Sequence, residues 1–273
     1  MKTIIYVNPR FFYLTEFVEK IPENFNTLGS EIYNGRNEVR RVTIQGLPVA
    51  IKYFRKITIV NRLIYASVRK SKAQRSFEHS EYIKKRGITT PEPIAWIDTY
   101  KNGILFKSFY VSQYSNYRPF EELLKQPTIE SEYALKSFAR FVFKLHTIGI
   151  LHDDFTVRNI LYEIIDDEYD FSLIDANRMR FRGCSRRRGA ENLERLKIPI
   201  DKMGIIAAEY AYQADISDLK MLNAMTLYRI RYLMRLSIKK WFKSLLNVFS
   251  KKKSSSRILK QVNKEQVEVS MNS

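Results

Sequence analysis

The sequence predicts an α+β protein of two lobes, in which a small N-terminal antiparallel sheet with one helix precedes a larger, mainly helical part. Up to residue 114, short apolar runs alternate with turns that contain glycine or proline, which is typical of short strands. From residue 133, apolar residues recur at helical spacing. We therefore predict an N-terminal lobe over 1–114, a C-terminal lobe over 115–250 and a disordered tail over 251–273.

The composition is that of a folded and strongly basic protein. Hydrophobic residues make up 45% of the 273 residues, and the formal net charge of +18 predicts an anionic partner. The single cysteine, Cys184, excludes an internal disulfide and fits a reducing cytosol. The N-terminus lacks a signal-peptide core and no apolar run is long enough to span a bilayer, so we expect a soluble cytoplasmic protein.

Three strands are predicted after the aromatic-rich opening. Two of them lie within residues 31–44 around a turn with Gly35, and the third is Val49–Phe54. Val49-Ala50-Ile51-Lys52 matches the Val-Ala-Ile-Lys signature of kinases, in which a strand carries a lysine to the phosphates of a nucleotide. Gly29 and Gly35 do not complete Gly-x-Gly-x-x-Gly, so Gly35 is a candidate phosphate contact without the full glycine loop.

A charged helix is predicted over residues 70–86, because Gly87 is a common signal for a helix C-terminus. In kinases, one glutamate of this helix pairs with the strand lysine and holds it toward the phosphates. Glu78 is our favoured partner for Lys52 and Glu81 is the alternative. For both, an exposed surface glutamate is the competing interpretation.

Two further strands, Ile94–Asp98 and Ile104–Tyr114, complete the first lobe. The polar stretch Ser115–Pro119 follows, where a hinge between lobes would lie. The backbone groups that we expect at the adenine edge of a nucleotide are those of Gln113, Tyr114 and Ser115.

The segment Leu151–Leu161 carries the most specific pattern in the chain. His152, Asp154 and Asn159 have the spacing of the kinase catalytic loop, with Asp153 where protein kinases usually have arginine. In this motif the aspartate orients the acceptor hydroxyl and receives its proton, so Asp154 is the candidate base. His152 is expected to orient the loop.

A hairpin is predicted directly after this loop. The apolar runs Ile160–Ile165 and Phe171–Ile174 flank an acidic turn, which places Asn159 at the entrance and Asp175 at the exit. An amide and a carboxylate there can hold Mg²⁺ against the phosphates of a nucleotide. The expected cofactors are ATP and Mg²⁺, with Asn159 and Asp175 as the metal ligands.

The chain departs from protein kinases after Asp175. It has neither Asp-Phe-Gly nor a later Ala-Pro-Glu, so a peptide substrate is not expected. Instead, Arg178 begins a cluster of arginines that extends to Arg188. We expect this cluster to meet carboxylate or phosphate groups on an anionic acceptor.

The stretch from Leu219 to Asn263 contains twelve Lys or Arg residues and no acidic residue. One helical face carries Met234, Ile238, Trp241, Phe242, Leu245 and Phe249, and another carries Arg231, Arg235, Lys239 and Lys243. This pattern is typical of a helix that lies on an anionic membrane surface, and equally of a core-packed helix with a basic outer face.

Together, these features resemble the lipopolysaccharide core kinase (Kdo/WaaP) family of protein-kinase-like sugar kinases. The resemblance extends from about Gly35 to Leu196 and includes Val49–Lys52, the catalytic-loop segment and the ending Ile174-Asp175-Ala176-Asn177-Arg178. It implies a bilobal protein-kinase-like fold and transfer of the ATP γ-phosphate to a sugar hydroxyl, with Kdo or heptose of the lipopolysaccharide inner core as the expected acceptor. It also implies a Gram-negative source and a peripheral position at the cytoplasmic face of the inner membrane.

Other functions stay open at this point. An aminoglycoside- or choline-type phosphotransferase shares the catalytic-loop spacing, although the basic residues after Asp175 favour an anionic acceptor. A membrane-associated pseudokinase scaffold would have no need of the catalytic positions. A nucleic-acid-binding protein would account for the charge but leaves Lys52, Asp154 and Asn159 unexplained, so no nucleic-acid partner is expected.

Overall fold

The computed structural model describes residues 1–55, 70–242 and 244, except for the side chain of Arg186. The chain forms two compact units, residues 1–222 and 223–273. The predictions made for Leu245, Phe249 and the tail over 251–273 lie outside the described residues. The boundary expected at residue 114 stays a prediction.

The first unit begins with a six-stranded antiparallel sheet. Its strands are β1 (Lys2–Val7), β2 (Ser30–Asn34), β3 (Glu38–Ile44), β4 (Leu47–Tyr53), β5 (Pro93–Lys101) and β6 (Ile104–Gln113). The strand order β1-β5-β6-β4-β3-β2 places β4, which carries Lys52, between β6 and β3. The sequence analysis did not anticipate β1, which pairs with β5 at one edge of this sheet.

Two helices accompany the sheet, whereas the sequence predicted one. Helix α1 (Thr15–Asn24), flanked by the 3₁₀ turns Pro9–Leu14 and Phe25–Thr27, buries Val18 and Ile21 in the core beneath the sheet. Helix α2 (Lys72–Lys84) is the predicted charged helix, and the Ser71 hydroxyl caps it by accepting from the Gln74 N–H. Gly87 follows α2 with φ +71°, a left-handed conformation that favours glycine.

The rest of the first unit is mainly helical. Its helices are α3 (Glu121–Lys125), α4 (Thr128–Thr147), α5 (Arg186–Glu194) and α6 (Ile200–Gln213). Its short strands are β7 (Arg118–Pro119), β8 (Ile150–His152), β9 (Ile160–Ile165), β10 (Glu168–Leu173) and β11 (Met179–Phe181). Phe138 of α4 packs against the rings of Phe120, Phe155 and Phe171, so that one aromatic cluster supports both the catalytic-loop segment and the hairpin β9–β10.

In the second unit, residues 223–242 form a helix. The side chains from 231 to 242 are all exposed, including the aromatic residues Trp241 (60%) and Phe242 (56%). Among the described residues, none of the helices combines the length and apolar character that crossing a bilayer requires.

Candidate active site

The site is built around Asp175, at the exit of the hairpin β9–β10. Its carboxylate lies 2.6 Å from the Lys52 Nζ, which β4 delivers from the sheet. Burial alone would raise the pKa of Asp175, but the charge and hydrogen bond of Lys52 outweigh burial and lower that pKa. Asp175 also has φ +59°, a conformation that costs energy for residues other than glycine and is found disproportionately at functional sites.

Asn159 is held beside this carboxylate by the backbone. The Ile174 N–H donates to the Asn159 carbonyl at 3.0 Å. Since Ile174 directly precedes Asp175, this hydrogen bond fixes Asn159 next to Asp175. The Asn159 amide NH₂ donates to the Asp154 carbonyl at 2.8 Å, which leaves its side-chain oxygen as an acceptor. Amide and carboxylate oxygens are ligands that Mg²⁺ prefers, so the two residues fit a magnesium site. Within the described residues, no cluster of three or more His, Cys, Asp or Glu side chains forms a separate metal site.

The catalytic-loop segment is shaped by His152. Its Nδ1 accepts the Asp154 N–H at 3.1 Å, and its Nε2 lies 3.3 Å from the Ile174 carbonyl, to which it donates in this tautomer. Burial lowers the pKa of His152, which keeps the ring neutral. His152 therefore joins the backbone before Asp175 to the backbone of Asp154, and the ring itself has no free nitrogen for proton transfer.

The two neighbouring aspartates of the loop have different arginine partners. Asp153, at the position of the usual kinase arginine, pairs with Arg180 of β11, and its carbonyl accepts from Arg195. Asp154 is more exposed and lies 3.4 Å from Arg178. Because Arg180 of β11 holds the Asp153 carboxylate, Asp154 is the better candidate for contact with a substrate.

The expected pair between Lys52 and Glu78 does not form in the structure. Both carboxylate oxygens of Glu78 accept from Lys70, at 2.7 and 2.8 Å, and Lys52 pairs with Asp175 instead. The alternative, Glu81, accepts from Asn8 at 3.1 Å. The physical reason is the rotation of α2 about its own axis, which the spacing of acidic residues does not reveal.

The face of α2 that meets the segment after Asp175 carries His79. Its Nδ1 lies 2.7 Å from the Ala176 carbonyl, and its ring makes an edge contact with Phe181 at a centroid distance of 5.0 Å. Burial lowers the pKa of His79. His79 was not among the residues expected at the site. It lies seven residues after Lys72, so His79 and Lys72 share one helical face.

Comparison with known proteins decides the family. The sequence profile of the lipopolysaccharide kinase (Kdo/WaaP) family matches residues 31–220. The chain belongs to this family. A solved structure described as WaaP in complex with acyl carrier protein has a similar fold, with a TM-score of 0.56 and 15% identity over 88% of this chain and 99% of that chain. No curated protein sequence matches the chain.

Membership confirms two predictions made from the sequence. A kinase of this family is a phosphotransferase that acts on sugar hydroxyls, and this is the enzyme class that the sequence predicted. Its fold is the protein-kinase-like α+β fold predicted above, with an antiparallel sheet followed by a helical part. At 15% identity the WaaP structure supports the fold alone, so the roles of individual residues rest on the geometry of this chain.

The predicted hinge offers fewer backbone donors than expected. The Gln113 N–H donates to the Glu92 carbonyl and the Tyr114 N–H donates to the Pro48 carbonyl, each at 2.8 Å. Because these two amides are already bonded, adenine recognition by Gln113 and Tyr114 would have to use their carbonyls. The N–H of Ser115 is the remaining candidate donor among the three predicted residues.

The turn with Gly35 is closed by charged contacts rather than by a glycine motif. Arg55, just after β4, donates to the Asn34 side chain at 2.8 Å and pairs with the buried Glu38 at the start of β3. A Cβ on Gly35 would meet the Tyr33 side chain, with the hydroxyl at 2.5 Å and the ring carbon Cζ at 2.9 Å, and this side chain can move. The backbone requirement for glycine lies at Gly29 instead, where φ is +47° and a Cβ would lie 2.0 Å from the Arg41 carbonyl.

A buried network that the sequence analysis missed supports the catalytic-loop segment. Asn192 of α5 donates to the His152 carbonyl at 2.8 Å and lies 3.1 Å from the His146 Nε2. The Nδ1 of His146 is 2.8 Å from the Tyr210 hydroxyl of α6. These residues are 46 and 64 positions from His146, so no local pattern could have identified them. The network joins α4, α5 and α6 to the residue that orients Asp154.

This network should make the free energy of unfolding of the protein fall on acidification. Burial lowers the pKa of His146 to about 4, whereas an unfolded histidine has a pKa of about 6.5. As the pH falls below about 6.5, the unfolded state gains a proton that the folded state cannot bind until about pH 4. His146 should therefore cost the folded state on the order of 3 kcal/mol across this window, because each pKa unit is about 1.4 kcal/mol.

Denaturant unfolding between pH 7 and pH 4 measures this effect. The variant His146→Gln is expected to be less stable at pH 7, since it loses a buried hydrogen bond, but to lose less stability on acidification. The pKa values of His152 and His79 are also lowered, so part of the slope should persist in the variant. An unchanged slope in His146→Gln would contradict the assignment.

Proposed function

We propose that the protein transfers the γ-phosphate of ATP to a sugar hydroxyl of the lipopolysaccharide inner core, with Kdo or heptose as the acceptor. The observation that carries the proposal is the convergence of Lys52, Asp154, Asn159 and Asp175 from three separate segments on one site. Family membership supports the reaction class, and the identity of the sugar is the step that goes beyond it.

In this proposal Asp154 orients the acceptor hydroxyl and accepts its proton. The oxygens of Asn159 and Asp175 would hold Mg²⁺, which would offset the negative charge of the nucleotide phosphates. Lys52 would turn from Asp175 to the phosphates, which would leave the Asp175 carboxylate available to the metal ion. The hinge residue Ser115 and the turn with Gly35 would contact the adenine and the phosphates. Glu78 has no role in orienting Lys52 in this proposal, because its carboxylate is paired with Lys70.

The acceptor side is marked by arginines that follow Asp175. Arg178 lies 3.4 Å from Asp154, and the exposed Arg182 and Arg188 lie further along the same segment. Arginine forms bidentate pairs with carboxylates and phosphates, both of which occur on acidic sugars. We therefore propose an anionic acceptor whose charged group lies against this segment.

Phosphate transfer from labelled ATP to total glycolipid of the source organism tests the function. Protein, choline and aminoglycosides serve as competing acceptors, and Asp154→Asn serves as the inactive control. We expect labelled glycolipid from the wild type alone, with the label released on a sugar fragment after mild acid. Label on choline or an aminoglycoside, and none on glycolipid, would refute the proposed acceptor.

The basic helix over 218–242 is proposed to hold the protein at the cytoplasmic face of the inner membrane. Five of its exposed apolar residues recur at helical spacing, namely Leu227, Ile230, Met234, Ile238 and Trp241, and Tyr232, Leu233, Leu236 and Phe242 are exposed as well. No acidic residue occurs between Leu219 and Asn263 to oppose an anionic surface. Each cation near such a surface contributes about 1 kcal/mol, and salt screens it within about 10 Å.

Truncation after Arg229 should abolish sedimentation with anionic vesicles yet preserve activity on a soluble sugar fragment. Trp241→Ser with Phe242→Ser should leave binding that salt removes, because apolar insertion supplies the salt-resistant part. Replacing Arg182 and Arg188 should do the reverse and reduce activity while vesicle binding persists. Since the related WaaP was solved with acyl carrier protein, that protein is added as a competitor.

Three outcomes would overturn the membrane proposal. Vesicle binding that survives truncation would place the membrane contact elsewhere. Aggregation or unfolding of the truncated protein would show that this helix belongs to the folded core. Binding to acyl carrier protein without binding to vesicles would favour a protein partner for the same surface.

A further inference from the structure

A second lysine shares the platform on which Lys52 lies. The buried Phe54 follows β4, and the Lys52 Nζ lies 5.3 Å from the centre of its ring. The Nζ of Lys72, the first residue of α2, lies 5.8 Å from the same ring centre. Two ammonium groups from different elements are therefore brought to one aromatic side chain at the candidate phosphate site.

The surroundings of Lys72 are rich in positive charge. Lys72 is partly buried, and burial lowers its pKa, followed by the charges of Arg36, Arg178 and Arg75, while Asp175 opposes the change. Arg36, Arg178 and Arg75 all act to lower the pKa of Lys72, whereas Asp175, which is itself paired with Lys52, acts to raise it. Such a concentration of like charge is unfavourable unless an anion completes it.

The position of Lys72 is fixed by contacts on both sides of α2. Toward the segment after Asp175, His79 contacts the Ala176 carbonyl at 2.7 Å and the Tyr82 ring packs on Phe181 at 4.0 Å between centroids. Toward the sheet, the capping residue Ser71 is hydrogen-bonded to the buried Asp98 of β5. The helix start is therefore anchored, and Lys72 is preorganised rather than free to sample the surface.

We propose that Lys72 is a second phosphate-binding lysine, which with Lys52 holds the polyphosphate of the nucleotide above Phe54. It is the first residue of the helix on which kinases present a glutamate, so in this site a cation would contact the phosphates directly, whereas those enzymes use an acid to orient one lysine. Arg36, in the turn between β2 and β3, would contact the same phosphates from the opposite side. This inference rests on the proposed use of ATP.

Nucleotide binding without an acceptor tests the inference. The binding of MgATP, MgADP and adenosine is measured by calorimetry for the wild type, Lys72→Met, Lys72→Arg and Lys85→Met. Methionine keeps the apolar stem on Phe54 while removing the charge, and Lys85 is an exposed lysine at the far end of α2. Lys72→Met should weaken MgATP binding about ten- to a hundredfold, because hydrogen bonds to charged groups contribute about 1.5–3 kcal/mol.

Adenosine binding should be unchanged in every variant, and Lys72→Arg should recover most of the affinity for MgATP. A merely structural lysine would affect adenosine and MgATP alike, so equal losses for both would overturn the inference. Wild-type MgATP affinity in a folded Lys72→Met would also overturn it while leaving the kinase assignment intact. The inference would also be contradicted if the wild-type protein transferred phosphate to glycolipid but bound MgATP no more tightly than adenosine. If the wild-type protein neither bound MgATP nor transferred phosphate, the proposed function itself would be refuted.

Discussion

Replacing either Asp154 or Asp175 should abolish phosphoryl transfer while leaving the fold intact. Removing the proton acceptor Asp154 should lower kcat about a hundredfold to ten-thousandfold, the usual range for general-base catalysis. MgATP binding should persist in this variant, because Asp154, which lies beside Arg178, is proposed to contact the acceptor. Removing Asp175 should weaken MgATP binding as well, since its carboxylate is the proposed metal ligand.

The choice of substitution matters at Asp175. Its φ of +59° is tolerated by asparagine far better than by alanine, so Asp175→Asn removes the charge without adding backbone strain. Asp154→Asn is the matched change in the loop, and Asp153→Asn is the neighbouring comparison, for which a smaller loss is expected because Asp153 pairs with Arg180. Wild-type rates in both Asp154→Asn and Asp175→Asn, with unchanged circular dichroism, would show that the site is assigned wrongly.

The second large effect is expected for Lys52→Met, which should reduce kcat/KM for ATP at least tenfold to a hundredfold. The reason is that Lys52 is the lysine of the Val-Ala-Ile-Lys strand and already lies 2.6 Å from the carboxylate of Asp175, the proposed metal ligand. A charge-assisted contact to the phosphates contributes about 1.5–3 kcal/mol, and every 1.4 kcal/mol is a factor of ten.

A double-mutant cycle in the nucleotide-free protein identifies the partner of Lys52. Denaturant unfolding of Lys52→Met, Asp175→Asn and the double variant should give a coupling of roughly 0.5–3 kcal/mol, typical of residues in contact. The matched cycle with Glu78→Gln should give a coupling near zero, because Glu78 is paired with Lys70. Strong coupling of Lys52 to Glu78 in this state would restore the pairing expected from the sequence.

Positions that depend on local spacing lie together as the sequence led us to expect, and their catalytic roles stay predictions. His152, Asp154 and Asn159 lie within one loop, and Asp175 lies where the register of a single hairpin places it, with Ile160 opposite Leu173. The backbone bond from Ile174 to Asn159 follows from that register. A short loop and a two-stranded hairpin leave few alternative arrangements, so the spacing of residues was enough to bring the candidate ligands together.

Positions whose partners come from distant segments were not predictable in the same way. Which face of α2 meets the catalytic segment depends on how the helix packs, and the packing selected Lys72 and His79 over Glu78 and Glu81. The backbone N–H groups of Gln113 and Tyr114 donate to carbonyls of residues more than twenty positions earlier in the chain. Closing such long loops costs conformational entropy, and the burial of apolar surface across the whole domain offsets this cost. A short sequence pattern does not contain that information.

The amino-acid sequence by itself therefore determined the fold class, the catalytic-loop spacing and the strand that carries Lys52, because each of these follows from local periodicity and short-range geometry. Only the tertiary structure decided that Lys52 pairs with Asp175, that Asp153 pairs with Arg180, and that Asn192 supports His152. These pairings depend on the rotation and docking of α2, β11 and α5, and such choices are made by the packing of the entire core.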